Sequence, residues 1–250
     1  VSVLLSIIAV IVVMLIAEKK VQQPLNLVQS EFITVKSGTS FNAFSKQLVN
    51  KQWLDNDFWL RIYAKFNPTQ SKIKSGTYQV TTETNILSLL NLVVSGKEHQ
   101  FSITFIEGST FKQVLTLLAQ HPNISHQLVG LSPSAIAKKL AIVQDNPEGW
   151  LFPETYAFTQ GASDISIIKR AHKKMQSALA EHWENRADNL PYKSAYQALI
   201  MASIIEKESG KYAEHPRISS VFVNRLNKHM RLQTDPTVIY GLGERYQGDI

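Results

Sequence analysis

Residues 33–48 read ITVKSGTSFNAFSKQL, and this stretch decides the fold. Ile33 and Val35 alternate with Thr34 and Lys36, the period of a half-buried strand. Ser37-Gly38-Thr39-Ser40 has turn chemistry, and Ser40 or Thr39 is placed to cap a helix. Phe41, Phe44, Leu48 and Val49 then recur on one helical face. The pattern returns 70 residues on. Ile103-Thr104-Phe105 precedes Glu107-Gly108-Ser109-Thr110, and Phe111, Val114, Leu117 and Leu118 follow. Ile33 matches Ile103, Gly38 matches Gly108, Phe41 matches Phe111 and Leu48 matches Leu118. This reads either as an internal repeat or as two instances of a common strand–turn–helix unit. Between the copies, residues 75–80 (SGTYQV) read as a turn and a strand. Residues 84–94 (TNILSLLNLVV) read as a helix stopped by Ser95-Gly96. Small βα units side by side imply an α+β fold.

Outward to the N-terminus the chain changes character. Residues 1–17 (VSVLLSIIAVIVVMLIA) hold no charge, Pro or Gly, and only Ser2 and Ser6 are polar. At ~1.5 Å per residue they make about 26 Å of helix, near the short limit of a bilayer crossing. The segment is expected to be a transmembrane helix. A cleaved signal peptide and a buried core helix are the other readings. Glu18-Lys19-Lys20 follows. The two lysines alone place their flank inside, but residues upstream of Val1 are expected, and the visible charges leave orientation open. Residues 18–30, with Pro24, read as a linker.

The 250-residue chain is 44% hydrophobic and 18% charged, and 26 Lys and Arg against 20 Asp and Glu leave a formal +6. That composition excludes wholesale disorder, and the length allows two domains. With no cysteine, disulfides, thiolate metal sites and a cysteine nucleophile are excluded. Residues 31–98 resemble a LysM module, a small β-α-α-β domain, in their opening more than in their remainder. That resemblance implies binding to N-acetylated glycans such as peptidoglycan.

The region 99–250 is expected to be a mostly helical α+β domain, continuing past Ile250 because residues 246–250 follow a dense motif region without a closing element. Residues 132–142 read as a helix with Ser132 as cap and Pro133 in its first turn. Residues 147–156 (PEGWLFPETY) mix aromatics, two prolines and two carboxylates and cannot be a helix interior. They read either as a sugar-lining loop or as a packed connector. Ile165 to Trp183 forms an amphipathic helix whose basic cluster, Lys169 to Lys174, reads as a solvated face.

The richest stretch runs from Tyr196 to Tyr240. Residues 196–209 (YQALIMASIIEKES) are apolar nearly all round, so the helix is expected to be buried. Glu206 and Glu208 stand at its end on different sides. A carboxyl turned inward needs a hydrogen-bond partner or holds its proton more tightly, and a retained proton is what general-acid catalysis uses. Periodicity leaves the choice between the two open. Lys207 lies ~100° round the helix from Glu206 and is not an obvious partner for it. Ile218, Val221, Phe222 and Leu226 form the expected buried stripe of the next helix, with Asn224 and Arg225 beside it. Asp235-Pro236 suggests a turn. Gln233, Thr234 and Asp235 offer donors and acceptors for sugar hydroxyl and N-acetyl groups. There is no G-x-x-x-x-G-K-[ST], H-E-x-x-H or G-x-S-x-G, and the seven histidines are scattered, so phosphate-loop, zincin and serine-hydrolase chemistry are not indicated.

At residues 148–156 (EGWLFPETY), 201–208 (MASIIEKE), 221–226 (VFVNRL) and 231–241 (RLQTDPTVIYG) the sequence resembles the endolytic murein transglycosylases, the YceG-like or MltG family. The order and spacing of these motifs fit, as do the apolar segment and Ile106-Glu107-Gly108. Glu154 stands where Asp is usual, and Ser209 where Thr is common. The resemblance implies a single-pass inner-membrane protein with a periplasmic ectodomain, in which the region 99–250 is the catalytic domain. Its implied reaction is non-hydrolytic cleavage of the MurNAc–GlcNAc β-1,4 bond within nascent strands, leaving 1,6-anhydroMurNAc ends. It also implies association with peptidoglycan synthases, the penicillin-binding proteins, and no metal or other cofactor. The first Glu of the E-K-E triplet carries catalysis in the family, which maps to Glu206. Asn224, Gln233, Thr234, Asp235, Tyr240 and Glu154 fall in the motif regions and are candidate substrate-binding residues. A non-catalytic wall-binding scaffold and a hydrolytic muramidase using Glu206 with Asp235 or Glu154 are the alternatives. Despite the basic charge, no nucleic-acid motif is present and no nucleic-acid partner is expected.

Overall fold

A computed structural model describes residues 2–142 and 146–248, except the side chain of Glu244. The protein is a mostly helical mixture of helices and short strands with one long apolar helix at the N-terminus. It divides into two compact units, 1–101 and 102–250.

In the first unit, α1 (Ser2–Val21) is followed by β1 (Glu31–Val35), α2 (Phe41–Asn50), α3 (Phe58–Phe66), β2 (Gly76–Val80) and α4 (Ile86–Ser95). β1 pairs antiparallel with β2, in a register from Glu31 opposite Val80 to Val35 opposite Gly76. Alternation then puts Ile33, Val35, Tyr78 and Val80 on one face, all buried with Phe44, Leu48, Leu60, Leu89 and Leu90. Local chemistry sets the helix ends. The Ser40 hydroxyl accepts Ala43 N–H at 3.2 Å. Asn85 and Ser88 form a reciprocal capping box at the start of α4. Gly96 closes that helix at φ 73°, a left-handed cap that glycine adopts without penalty.

Helix α1 is long and apolar enough to cross a membrane, with a mean hydropathy of 2.4. Nearly all of it is exposed, but Ala17 and Val21 are buried. The helix runs on past Ala17 through Lys19 and Lys20. Val21 and Leu25 enter the core of the unit. Backbone hydrogen bonds from Leu25 N to Thr84 O (3.1 Å) and from Ile86 N to Gln23 O (3.3 Å) fasten the following stretch to α4. Part of the region read as a linker is therefore packed.

The second unit contains β3 (Phe101–Thr104, whose first residue closes the first unit), α5 (Phe111–Gln120), α6 (Pro133–Leu140), β4 (Thr155–Phe158), α7 (Asp164–Glu184), α8 (Ala195–Glu208), α9 (His215–Asn227) and α10 (Asp235–Leu242). β3 pairs with β4, and the Thr104 and Thr155 hydroxyls meet at 2.8 Å. Ile103, Phe111, Val114 and Leu118 are buried, as are Ile167, Ile168 and Ala171 of α7. The buried Asp164 carboxylate accepts the backbone N–H of Gln127 (2.9 Å) and Leu128 (3.0 Å), which satisfies an otherwise costly charge.

Three expectations need correction here. Helix α8 is not buried all round: Met201 alone is buried, and Ile200 is 44% exposed. Apolar composition supplies a surface to bury, but only neighbours cover it, and α7, α9 and α10 leave the Ile200 side open. In α9, Phe222 is buried but Val221 is 46% exposed, for the same reason. Asp235-Pro236 opens helix α10 and is not an isolated turn. Proline fits the first helical turn, where its missing N–H costs nothing.

Candidate active site

The second strand–turn–helix unit builds the site. Its turn, residues 105–110, joins β3 to α5. Gly108 sits there at φ +68°, and side chains of α8 come close to it. A methyl group at Gly108 would stand 3.4 Å from Glu206 Cγ and 3.5 Å from Lys207 Cε and Nζ. The glycine is thus a seat against which two consecutive side chains of α8 rest. Thr110 caps α5 with Gln113 in a reciprocal box. A second cap comes from far along the chain. Both carboxylate oxygens of Glu148 accept the backbone N–H of Phe111, at 3.0 and 3.2 Å.

Glu148 is half-buried, and burial pushes its carboxyl above the ordinary glutamate range. The N–H groups of Phe111 and Gly149 and the Lys207 ammonium oppose that rise. Lys207 therefore lies within electrostatic reach of Glu148 while touching the same turn as Glu206. Tyr240 of α10 joins the cluster. Burial raises its phenol pKa, with further contributions from Glu148 and Tyr196. Tyr196 stacks on Trp150, centroids 5.5 Å apart and planes 4° from parallel. Trp150 also meets the buried His172 edge-on at 5.8 Å, and His172 Nδ1 lies 3.1 Å from the Trp150 carbonyl.

The two carboxylates of α8 have different company. Thr234, buried at the N-cap of α10, donates its hydroxyl to Glu208 Oε2 at 2.5 Å. The Glu206 carboxylate is half-exposed and bonded to no other group among the described residues. The end of α8 is held by its cap: Ser209 Oγ donates to Glu214 Oε2 at 2.7 Å, and Ser209 O meets His215 Nε2 at 2.7 Å. Chemically, Glu206 is free to give or take a proton from a bound molecule, whereas Glu208 is committed to the fold.

The other candidates divide. Gln233 stands at φ 52° and offers Oε1 to Arg225 at 3.3 Å. Arg225 also donates to the Leu232 carbonyl, so it fixes the 231–233 strand of loop. Asp235 is exposed in the first turn of α10, and Tyr240 is 61% exposed. Asn224 is exposed on α9. Glu154 pairs with Lys174 of α7, and its carbonyl accepts Phe105 N–H at 3.0 Å. That makes Glu154 part of the β4–α7 packing. Its neighbour Tyr156 donates to the Phe152 carbonyl at 2.6 Å, and burial pushes the phenol up to about 12. Among the described residues no group of three or more His, Cys, Asp or Glu could hold a metal ion. Sequence reasoning missed Lys207, Glu148, Gly108 and the Trp150–Tyr196 stack as site components. The available signal was the second strand–turn–helix, whose glycine marks a turn that something approaches closely.

A mixed helix–strand scaffold thus presents an unengaged carboxylate, Glu206, and a neighbouring cation, Lys207, beside the Gly108 turn. The chain belongs to the YceG-like family, whose model matches residues 33–250. It is 28% identical over 229 residues to an endolytic murein transglycosylase of Bacillus subtilis, covering 85% of this chain and 63% of that protein. It is 23% identical over 252 residues to one of Streptococcus pneumoniae, covering 88% of this chain and 45% of that protein. The chain thus spans roughly half to two thirds of these relatives. A solved YceG-like protein of Listeria monocytogenes is 25% identical, with a TM-score of 0.47 over 89% of this chain and 78% of that one.

Proposed function

We propose that this chain is the membrane-proximal and catalytic part of an endolytic peptidoglycan transglycosylase, a lyase that cuts the MurNAc–GlcNAc β-1,4 bond inside nascent strands. Family membership and the names of the relatives support the general activity. The observation that carries the assignment to a residue is the unengaged carboxyl of Glu206 beside a Glu208 already bonded to Thr234. In this reading Glu206 protonates the glycosidic oxygen as the C1–O bond breaks. It then takes the proton from the C6 hydroxyl of the same MurNAc, whose oxygen bonds to C1 and closes the 1,6-anhydro ring. No water enters, and the carboxyl ends as it began. The internal hydroxyl is a nucleophile of high effective molarity, so one carboxyl can serve where hydrolytic glycosidases use two.

Asn224, Gln233, Asp235 and Tyr240 are the substrate-facing groups of this proposal. Thr234 serves through Glu208, and Glu154 through Lys174. Residues 31–98 act as a LysM-like glycan-binding module, a reading favoured by the order β1-α2-α3-β2 with antiparallel pairing. Helix α1 anchors the chain in the inner membrane with the rest in the periplasm, next to penicillin-binding synthases. The test uses full-length protein, wild type and Glu206→Gln, with uncrosslinked glycan strands and mass spectrometry of the products. Internal 1,6-anhydroMurNAc ends are expected from wild type. The variant should lose about 10²–10⁴-fold in rate, the usual contribution of a positioned acid–base group. Reducing-end MurNAc would point to a hydrolase, and binding without cutting to a scaffold.

A further inference from the structure

The exposed face of α3 carries the inference. At 100° per residue, Phe58, Arg61, Ile62 and Lys65 fall within about 100° of one another. Leu60 and Ala64 point the other way and are buried. Phe58 is 57% exposed and Phe66 is 39% exposed. The helix, FWLRIYAKF, has no acidic residue. Arg61 and Lys65 form no ion pair with a carboxylate among the described residues. Large exposed apolar groups alternating with unpaired cations suit neither bulk water nor a dry protein interface. They suit the boundary between acyl chains and anionic headgroups, where aromatic rings and basic side chains both find partners.

The position of α3 adds a second observation. Tyr63, Phe66 and Asn67 line a small cleft with Met14, Ala17 and Glu18 of α1. Met14 belongs to the apolar stretch and Glu18 is its first charge. The C-terminal end of α3 thus lies level with the place where α1 turns from apolar to charged. Because Val21 and Leu25 are core residues, the first unit is fixed to α1 and cannot swing away from it.

We propose that α3 is a membrane-contacting element: Phe58, Ile62 and Phe66 enter the headgroup–acyl boundary, and Arg61 and Lys65 bind lipid phosphates. The inference rests on the reading of α1 as an inserted anchor. The native chain has no cysteine, so single introduced cysteines can carry an environment-sensitive fluorophore. The full chain is reconstituted in phosphatidylethanolamine–phosphatidylglycerol vesicles with labels at Leu5→Cys, Phe58→Cys, Arg61→Cys or Ser37→Cys. Arg61 is exposed and unpaired, so its variant reports even where loss of Phe58 perturbs the helix. Blue-shifted emission, quenched by spin-labelled lipid, is expected at positions 5, 58 and 61, with an aqueous signal at position 37. A lipid signal at 5 with aqueous signals at 58 and 61 overturns the inference and leaves the anchor standing. A blue shift at 58 that lipid quenchers do not touch means a protein covers α3, which also overturns it. An aqueous signal at 5 removes the anchor and the inference together.

Discussion

The molecule contains the same turn twice, and the two copies serve different ends. Residues 37–40 join β1 to α2, and residues 107–110 join β3 to α5. Both place a glycine in the left-handed region, Gly38 at φ 79° and Gly108 at φ 68°. Both cap the helix with a hydroxyl, Ser40 or Thr110. Both send an aromatic into its first position. Yet nothing lies within 4 Å of a methyl group built on Gly38, whereas Gly108 is met by Glu206 and Lys207. The first turn is only a way of reversing the chain. The second is the same device with the end of α8 laid across it. Backbone shape alone therefore does not mark a site; what approaches the backbone does.

Six substitutions, grouped in four tests, sharpen or break this contrast. The largest effect should come from the helices themselves. Leu48→Ala and Leu118→Ala empty equivalent, fully buried positions, and each should cost about 2–5 kcal/mol in chemical denaturation. Costs that differ widely would mean that the two units are packed on different principles. Next is Thr234→Val, which strips Glu208 of its hydroxyl donor. Glu208 is exposed, so a loss of about 0.5–1.5 kcal/mol is expected for the lost hydrogen bond, and an unchanged denaturation midpoint would mean that water fully replaces Thr234 there.

The glycines separate structure from function more finely. Gly38→Ala should cost about 1 kcal/mol of stability through its positive φ and leave the rate of glycan cleavage unchanged. Gly108→Ala should cost a similar amount through its positive φ, and its methyl would come into ordinary contact with Glu206 and Lys207. With Glu206 as the proposed acid, kcat should fall only about two- to threefold as its position shifts slightly. Equal kinetics for the two variants would remove the seat role from Gly108. The smallest effect belongs to Glu148. Its carboxyl binds a proton more tightly in the folded state, so the stability it contributes is greatest at low pH. That contribution declines as pH rises from the ordinary glutamate range through the raised one. Urea midpoints across that window should show wild type losing ground to Glu148→Gln as pH increases. Wild type gaining ground would mean that the Lys207 charge outweighs burial.

Much of the fold was legible because it is local. Ser40, Gly96 and the Ser132-Pro133 start all act within a turn of the residue they stop or start, so the sequence around them suffices. The strands followed from alternation at Ile33 and Val35. Burial of α8 was not legible, because Ile200 and Met201 are equally apolar and only their neighbours distinguish them. The approach of Lys207 to Gly108 and the bond from Phe111 to Glu148 join segments far apart in the chain, and no periodicity announces them. The Asp235-Pro236 helix start could have been read from the preference of proline for a first turn. It was masked by the equal preference of that dipeptide for loops.

The Glu148 cap also bears on the order in which the protein folds. Ser40 finds its partner three residues away, and such a contact closes on the timescale of helix formation. Glu148 reaches Phe111 across 37 residues, and the Thr104–Thr155 contact spans 51. Loop closure over those distances is entropically slower. Both turns carry a local cap, Ser40 or Thr110, and can form while the chain is still short, but the added Glu148 cap on the second must wait until the segment after α6 has been made and docked. In kinetic terms the glycine seat is a late event, and amide exchange at Phe111 should gain protection only after the amides of α2 and α4 have done so.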